Sequence, residues 1–155
     1  MTITSAICNS FKQEILVEGH NFTNGTDTFK ISLYSSDSAT LNKSTTAYTA
    51  PADGTADPTN TYEVTSTSSG YTTGGNRLTS TTPVLSGDTA CCKFADTSWG
   101  SSASFTARGC LIYNSTNSNK AVCAINFGAD KTVTSGTFTI QFPAQTAGNA
   151  IIQIA

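Results

Sequence analysis

Apolar and polar side chains alternate most regularly in the last third of the chain, and that alternation predicts strands. Across 137–142, Phe138, Ile140 and Phe142 alternate with Thr137, Thr139 and Gln141, a period of two with one apolar and one wet face. Pro143 ends this run because it has no N–H to donate to a ladder. Across 120–127, Ala121, Cys123, Ile125 and Phe127 make one fully apolar face. The run 105–113 is apolar on both faces around Gly109-Cys110-Leu111-Ile112, which predicts a central strand. The links 114–119, 128–131 and 135–136 are turns by composition, and short links join antiparallel neighbours. Residues 96–104 read as a loop holding the single Trp99.

Upstream, Phe29, Ile31 and Leu33 alternate with Lys30, Ser32 and Tyr34, which predicts a strand over 28–35. Extended stretches are expected at 62–67, 78–85, 89–94 and 149–154, with Pro83 placing 78–85 at an edge or a bend. Residues 37–46 and 48–60 read as loops, the second carrying Pro51, Gly54 and Pro58. Helical spacing occurs only in 2–18, where Ile7, Phe11 and Ile15 form a stripe and Gly19 is a stop signal. A helix that short must dock on something to persist. The sum is an all-β chain: an antiparallel β-sandwich or jelly-roll-like barrel with a short N-terminal helix, one domain over 1–155.

Composition narrows the function classes. Charged residues make up 12% of the 155, about half the usual share, and Ser, Thr, Asn and Gly take their place. The net charge is −2 and the eight basic residues are scattered. A nucleic-acid surface needs them gathered in a stripe, so no nucleic-acid partner is expected. Residues 1–19 lack the pattern of a secretory signal, and no run approaches the ~20 apolar residues of a membrane span. Synthesis in a cytosol is expected, without a membrane partner. There the five cysteines are small buried hydrophobes. Cys91 and Cys92 point to opposite faces of one strand, and Cys110 and Cys123 lie on consecutive strands, where the reducing compartment disfavours a bridge.

Candidate chemistry is sparse. The one histidine, His20, has no nucleophile-elbow or triad pattern around it and reads as a surface or capping residue. The cysteines lack zinc-ligand spacing. Asp53-Gly54-Thr55-Ala56-Asp57 does not match a calcium loop. Glu14, Glu18 and Glu63 are the only glutamates and suggest no glycosidase pair. Tyr48, Tyr62, Tyr71 and Trp99 are either a sugar-stacking face or, the favoured reading, aromatics that close the ends of a sandwich. No catalytic residue, metal or cofactor is expected.

One ordered set of short motifs resembles a known family. It begins with Thr28-Phe29-Lys30-Ile31-Ser32-Leu33-Tyr34 and continues through Glu63-Val64, Gly70-Tyr71 and Gly74-Gly75. Phe94-Ala95-Asp96-Thr97-Ser98-Trp99 and Ala107-Arg108-Gly109-Cys110-Leu111-Ile112-Tyr113-Asn114 follow. Phe127-Gly128-Ala129-Asp130-Lys131-Thr132 and Phe138-Thr139-Ile140-Gln141-Phe142-Pro143 close it. The set resembles small virion structural proteins of tailed bacteriophages, cyanophages among them, of the capsid decoration or cement type; some relatives carry tail or fibre labels. Residues 65–69 and the Cys91-Cys92 pair depart from the pattern.

The resemblance implies a non-enzymatic protein on the virion, most readily the head surface, made in the bacterial host cytoplasm. It would bind the major capsid protein and itself, as dimer or trimer. The alternative is a tail or fibre component binding host-surface glycan. Contacts are expected from segment 2–18, through Phe11 and Ile15, and from loop 48–60, through Tyr48, Pro51 and Pro58. Neither segment is expected to be needed to close the sandwich. Trp99 completes the set as a stacking aromatic.

Overall fold

The computed structural model describes residues 2–35, 39–49, 62–65 and 70–155. Chain order is β1 (Ala6–Ile7), α1 (Asn9–Glu14) running into a 3-10 turn (Ile15–Val17), β2 (Phe29–Tyr34), β3 (Asn76–Leu78) and β4 (Val84–Ser86), then β5 (Thr89–Cys92), β6 (Thr97–Asn114), β7 (Lys120–Ile140) and β8 (Ile152–Ile154). Two antiparallel sheets result, ordered β1-β7-β6-β2-β3 and β4-β5-β8. The fold is all-β with a short N-terminal helix, as the alternation predicts, and its sheets do not close into a barrel.

The main departure from expectation is the β6–β7 hairpin. Its strands run 18 and 21 residues, through 96–104 and 128–136, where a loop and turns are expected. The register explains how. It steps from Gly109 opposite Asn126 to Ala107 opposite Lys131, so residues around Gly128 bulge out. It steps again between Phe105 opposite Val133 and Ala103 opposite Gly136, which places Ser135, at φ 46°, in a second bulge. The Gly/Ser stretch 100–102 is the excess on β6, between Trp99 opposite Phe138 and Ala103 opposite Gly136. Turn-forming residues here kink a strand and do not reverse it. Cross-strand hydroxyl pairs, Ser98 with Thr139 (2.8 Å) and Thr106 with Thr132 (2.9 Å), tie the exposed half together.

The N-terminal segment also differs. Ile7 lies in β1, paired with Cys123, and the helix starts only at Asn9. Gly19 N–H donates to Glu14 O (2.7 Å), so Gly19 is the expected stop. Ile3, Cys8 and Phe11 are buried in the core. The segment therefore helps to close the molecule, contrary to expectation, because β1 covers part of one edge of the large sheet.

Of the weaker extended stretches, the described part of the first, 62–65, contributes a bridge, Glu63 to Tyr34, and 78–85 divides between β3, a bridge at Ser80 and β4. Pro51, Pro58 and the acidic group at 53–57 lie outside the described residues. The core is aromatic. Phe22 stacks on Phe29 (4.4 Å between centroids), Phe29 meets Phe94 (5.5 Å), and Phe94 meets Phe142 (5.5 Å), joining β2 to segments flanking the small sheet. A second group joins Tyr71, Trp99, Phe105 and Phe138.

Candidate functional site

Two polar clusters are built into the interior. On β2, Ser32 and Tyr34 share a face with Tyr113 across on β6, because Lys30 pairs with Tyr113 and the period is two. Tyr48 stacks on Tyr113 at 4.4 Å. Glu63 sits among them, buried, and both its oxygens are used. Tyr71 Oη (2.7 Å) and Gly74 N–H (2.7 Å) donate to Oε1, and Tyr48 Oη donates to Oε2 (3.0 Å). Tyr71 Oη in turn accepts from Leu33 N–H (3.0 Å), and Tyr113 Oη donates to Gly74 O (2.8 Å). Burial pushes the Glu63 carboxyl above its ordinary value, against the three donated hydrogen bonds and Lys30, which act the other way. The phenols of Tyr48, Tyr71 and Tyr113 are raised by burial and then by the Glu63 charge. This saturated carboxylate holds the chain crossing at 71–75 against β2 and β6.

The second cluster corrects the reading of His20. It is buried between the Phe11 and Phe29 rings, not at the surface. Asn114 Oδ1 accepts from the backbone N–H of Thr116 and Asn117, so its amide nitrogen faces His20 Nδ1 (3.2 Å) and Asp27 Oδ2 (2.7 Å). That pattern makes Nδ1 the acceptor and leaves the proton on Nε2, which donates to Glu14 Oε2 (2.8 Å). Both ring nitrogens are thus taken by structural partners. His20 ties α1 to the β6 end and is not poised over a nucleophile.

All five thiols are free and buried. Burial raises Cys8 to about 11 and Cys123 to about 12, and raises Cys110 as well, which keeps them as unreactive thiols. Cys110 and Cys123 are not opposite one another: Cys110 faces Ile125 and Cys123 faces Ile112. Among the described residues no group of three or more His, Cys, Asp or Glu could hold a metal, and no helix is long and apolar enough to cross a membrane.

The surface is where the molecule departs from a closed core. Cys92 and Ile152 are paired neighbours on the small sheet and buried. The next row on the same face, Leu85–Ala90–Ile154, follows from the pairings Leu85 with Ala90 and Ala90 with Ile154. That row is open: Leu85 is 76% and Ile154 55% exposed. Beside it runs a groove of about 410 Å³ between the helical segment and β8, lined by Ile7, Lys12, Ile15, Leu16, Ile152 and Ile154. Leu16, 84% exposed, is part of the groove wall, and its chain neighbour Val17 is 72% exposed. Large side chains this open mark an interaction surface.

Of the expected contact residues among those described, only Ile15 belongs to this surface with an open side, being half-buried in the groove wall. Phe11 also lines the groove but is buried at its base. Tyr48 and Trp99 are buried in the aromatic clusters, so the favoured reading of the aromatics as packing residues holds for them and for Tyr71. Leu16, Val17, Leu85 and Ile154 escaped the sequence reading. Their signal was present at Leu16-Val17, two apolar residues off the Ile7–Phe11–Ile15 stripe and therefore turned from the core.

No protein-family model matches the chain, and comparison with curated proteins and with solved structures finds no match.

Proposed function

We propose that this protein is a decoration protein of a tailed-bacteriophage head, docking on the major capsid protein through the stripe Leu85–Ala90–Ile154–Leu16–Val17. The observation that carries the reading is that stripe: an open apolar face on a charge-poor sandwich. The family resemblance supplies the partner, and the stripe supplies a way to hold it. A protein that binds only the assembled shell stabilises the shell by mass action. A dimer or trimer on a local symmetry axis multiplies a modest interface per copy. With the polar clusters saturated by their own partners, adhesion is the reading the side chains support, and no turnover is assigned. The glycan-binding alternative loses its platform, because Tyr48, Tyr71 and Trp99 are buried.

The test is a double substitution, Leu16→Ser with Val17→Ser. Both side chains face solvent, so the variant should keep its circular dichroism and melt within a few degrees of wild type. Co-sedimentation with purified heads should fall at least about tenfold, the loss expected when two buried aliphatic anchors are removed. Occupancy equal to wild type removes the stripe from the reading.

A further inference from the structure

The stripe is not the only open apolar feature. Strand β7 has 21 residues and the strands of the small sheet have three or four, so the hairpin outruns the layer that covers it. Where it does so, Ile125, Phe127, Phe138 and Ile140 of β7 converge with Phe142 and Ile151 on a groove of about 470 Å³. All but Phe142 are half-buried. The volume falls within the range of about 300–1,000 Å³ typical of small-ligand clefts. Its lining is apolar except for Thr139, Gln141 and one charged residue, Lys131. Asp130, the next residue in sequence, turns to Arg108 Nη1 (3.5 Å). The groove thus joins a greasy channel to a single positive charge.

We infer that this groove binds a straight-chain carboxylic acid of medium length, alkyl chain along Phe127, Phe138, Ile140 and Ile151 and carboxylate at Lys131. The chemistry is complementary term by term. The apolar walls reward methylenes and offer few partners to a polar chain, and the lone ammonium favours an anionic head over a neutral or cationic one. The inference is independent of the docking stripe, which lies on the other groove.

The molecule carries its own reporter. Trp99, the single tryptophan, packs edge-on against Phe138 at 5.8 Å, and Phe138 lines the groove. Filling the groove should therefore shift Trp99 emission. Octanoate, decanoate and dodecanoate are titrated into the intact protein, with fluorescence and calorimetry as readouts. The expected result is saturable one-to-one binding that tightens about fourfold per added methylene. Lys131→Gln should weaken decanoate about fivefold and leave decanol unchanged. Ile140→Arg, which fills the channel, should abolish both; should that variant not fold, Lys131→Gln, on an exposed side chain, decides alone. The inference is overturned by the absence of saturable binding for all three acids, by decanol or decyltrimethylammonium binding as tightly as decanoate, or by a folded Ile140→Arg variant that binds like wild type.

Discussion

Glu63 is the residue on which the centre of the molecule turns. Its three donors come from two separate stretches of the chain, Tyr48 from one and Tyr71 and Gly74 from the other. Glu63→Leu would strand all three and should cost about 3 kcal/mol or more. Glu63→Gln keeps an acceptor and should fold. The pH behaviour follows from the raised carboxyl. The native state holds the proton more tightly than the unfolded chain. The stabilisation is therefore full below the unfolded value of about 4.3 and declines as pH rises through the higher folded value. The melting-temperature difference between wild type and Glu63→Gln should be most in favour of wild type in acid and shrink toward neutrality; a difference that grows with pH contradicts this. Gly75 secures the same crossing from the other side. At φ +71° a Cβ there would lie 1.7 Å from Ile31 O. Gly75→Ala should cost about 4 kcal/mol, against about 1 kcal/mol for Gly87→Ala, where φ is +62° but the space is open. Matched denaturant melts would compare the two. Neither residue announced its role in the sequence: a lone glutamate in a weakly alternating stretch and one glycine of a pair do not name their partners, and only the tertiary fold brings those partners together.

Among the elements, the N-terminal segment has changed its meaning most. The stripe Ile7, Phe11, Ile15 suggests a detachable docking helix. Instead β1 adds to the large sheet, and Ile3, Cys8 and Phe11 enter the core. Removing 2–18 should therefore unfold the protein, since losing Phe11 alone would cost about 3–5 kcal/mol of a total near 5–15 kcal/mol. Near-ultraviolet circular dichroism and gel filtration of the truncated chain measure this directly, and a native-like compact product would contradict it. The strands were legible wherever the period of two was clean, as in β2 and the outer third of β7. Their lengths were not. Gly128 and Ser135 carry the composition of turns, and the same preference for positive φ serves a bulge equally well. Which of the two forms depends on whether a partner strand continues alongside, and that partner, 97–103, is a Gly/Ser-rich stretch with almost no strand signal of its own. Pairing overrode propensity there.

For the whole molecule, the balance lies between a packed interior and an unfinished surface. The polar groups of the Glu63 and His20 clusters are consumed by one another, and the charge count is too low to steer a partner from afar. What remains for recognition is open apolar surface, the stripe beside β8 and the groove along β7. The sequence made the fold class plain. Of the residues it named for contact, Phe11, Tyr48 and Trp99 are buried in the core, and aromatic residues fit either role until burial is known. The most direct measurement is an averaged electron cryomicroscopy image of intact particles with this protein located in the density. The expected result is hundreds of copies on the outer face of the head, each with Leu16, Val17 and Ile154 turned toward the capsid. A dozen or fewer copies confined to the tail, or no copies on the mature particle, would contradict it.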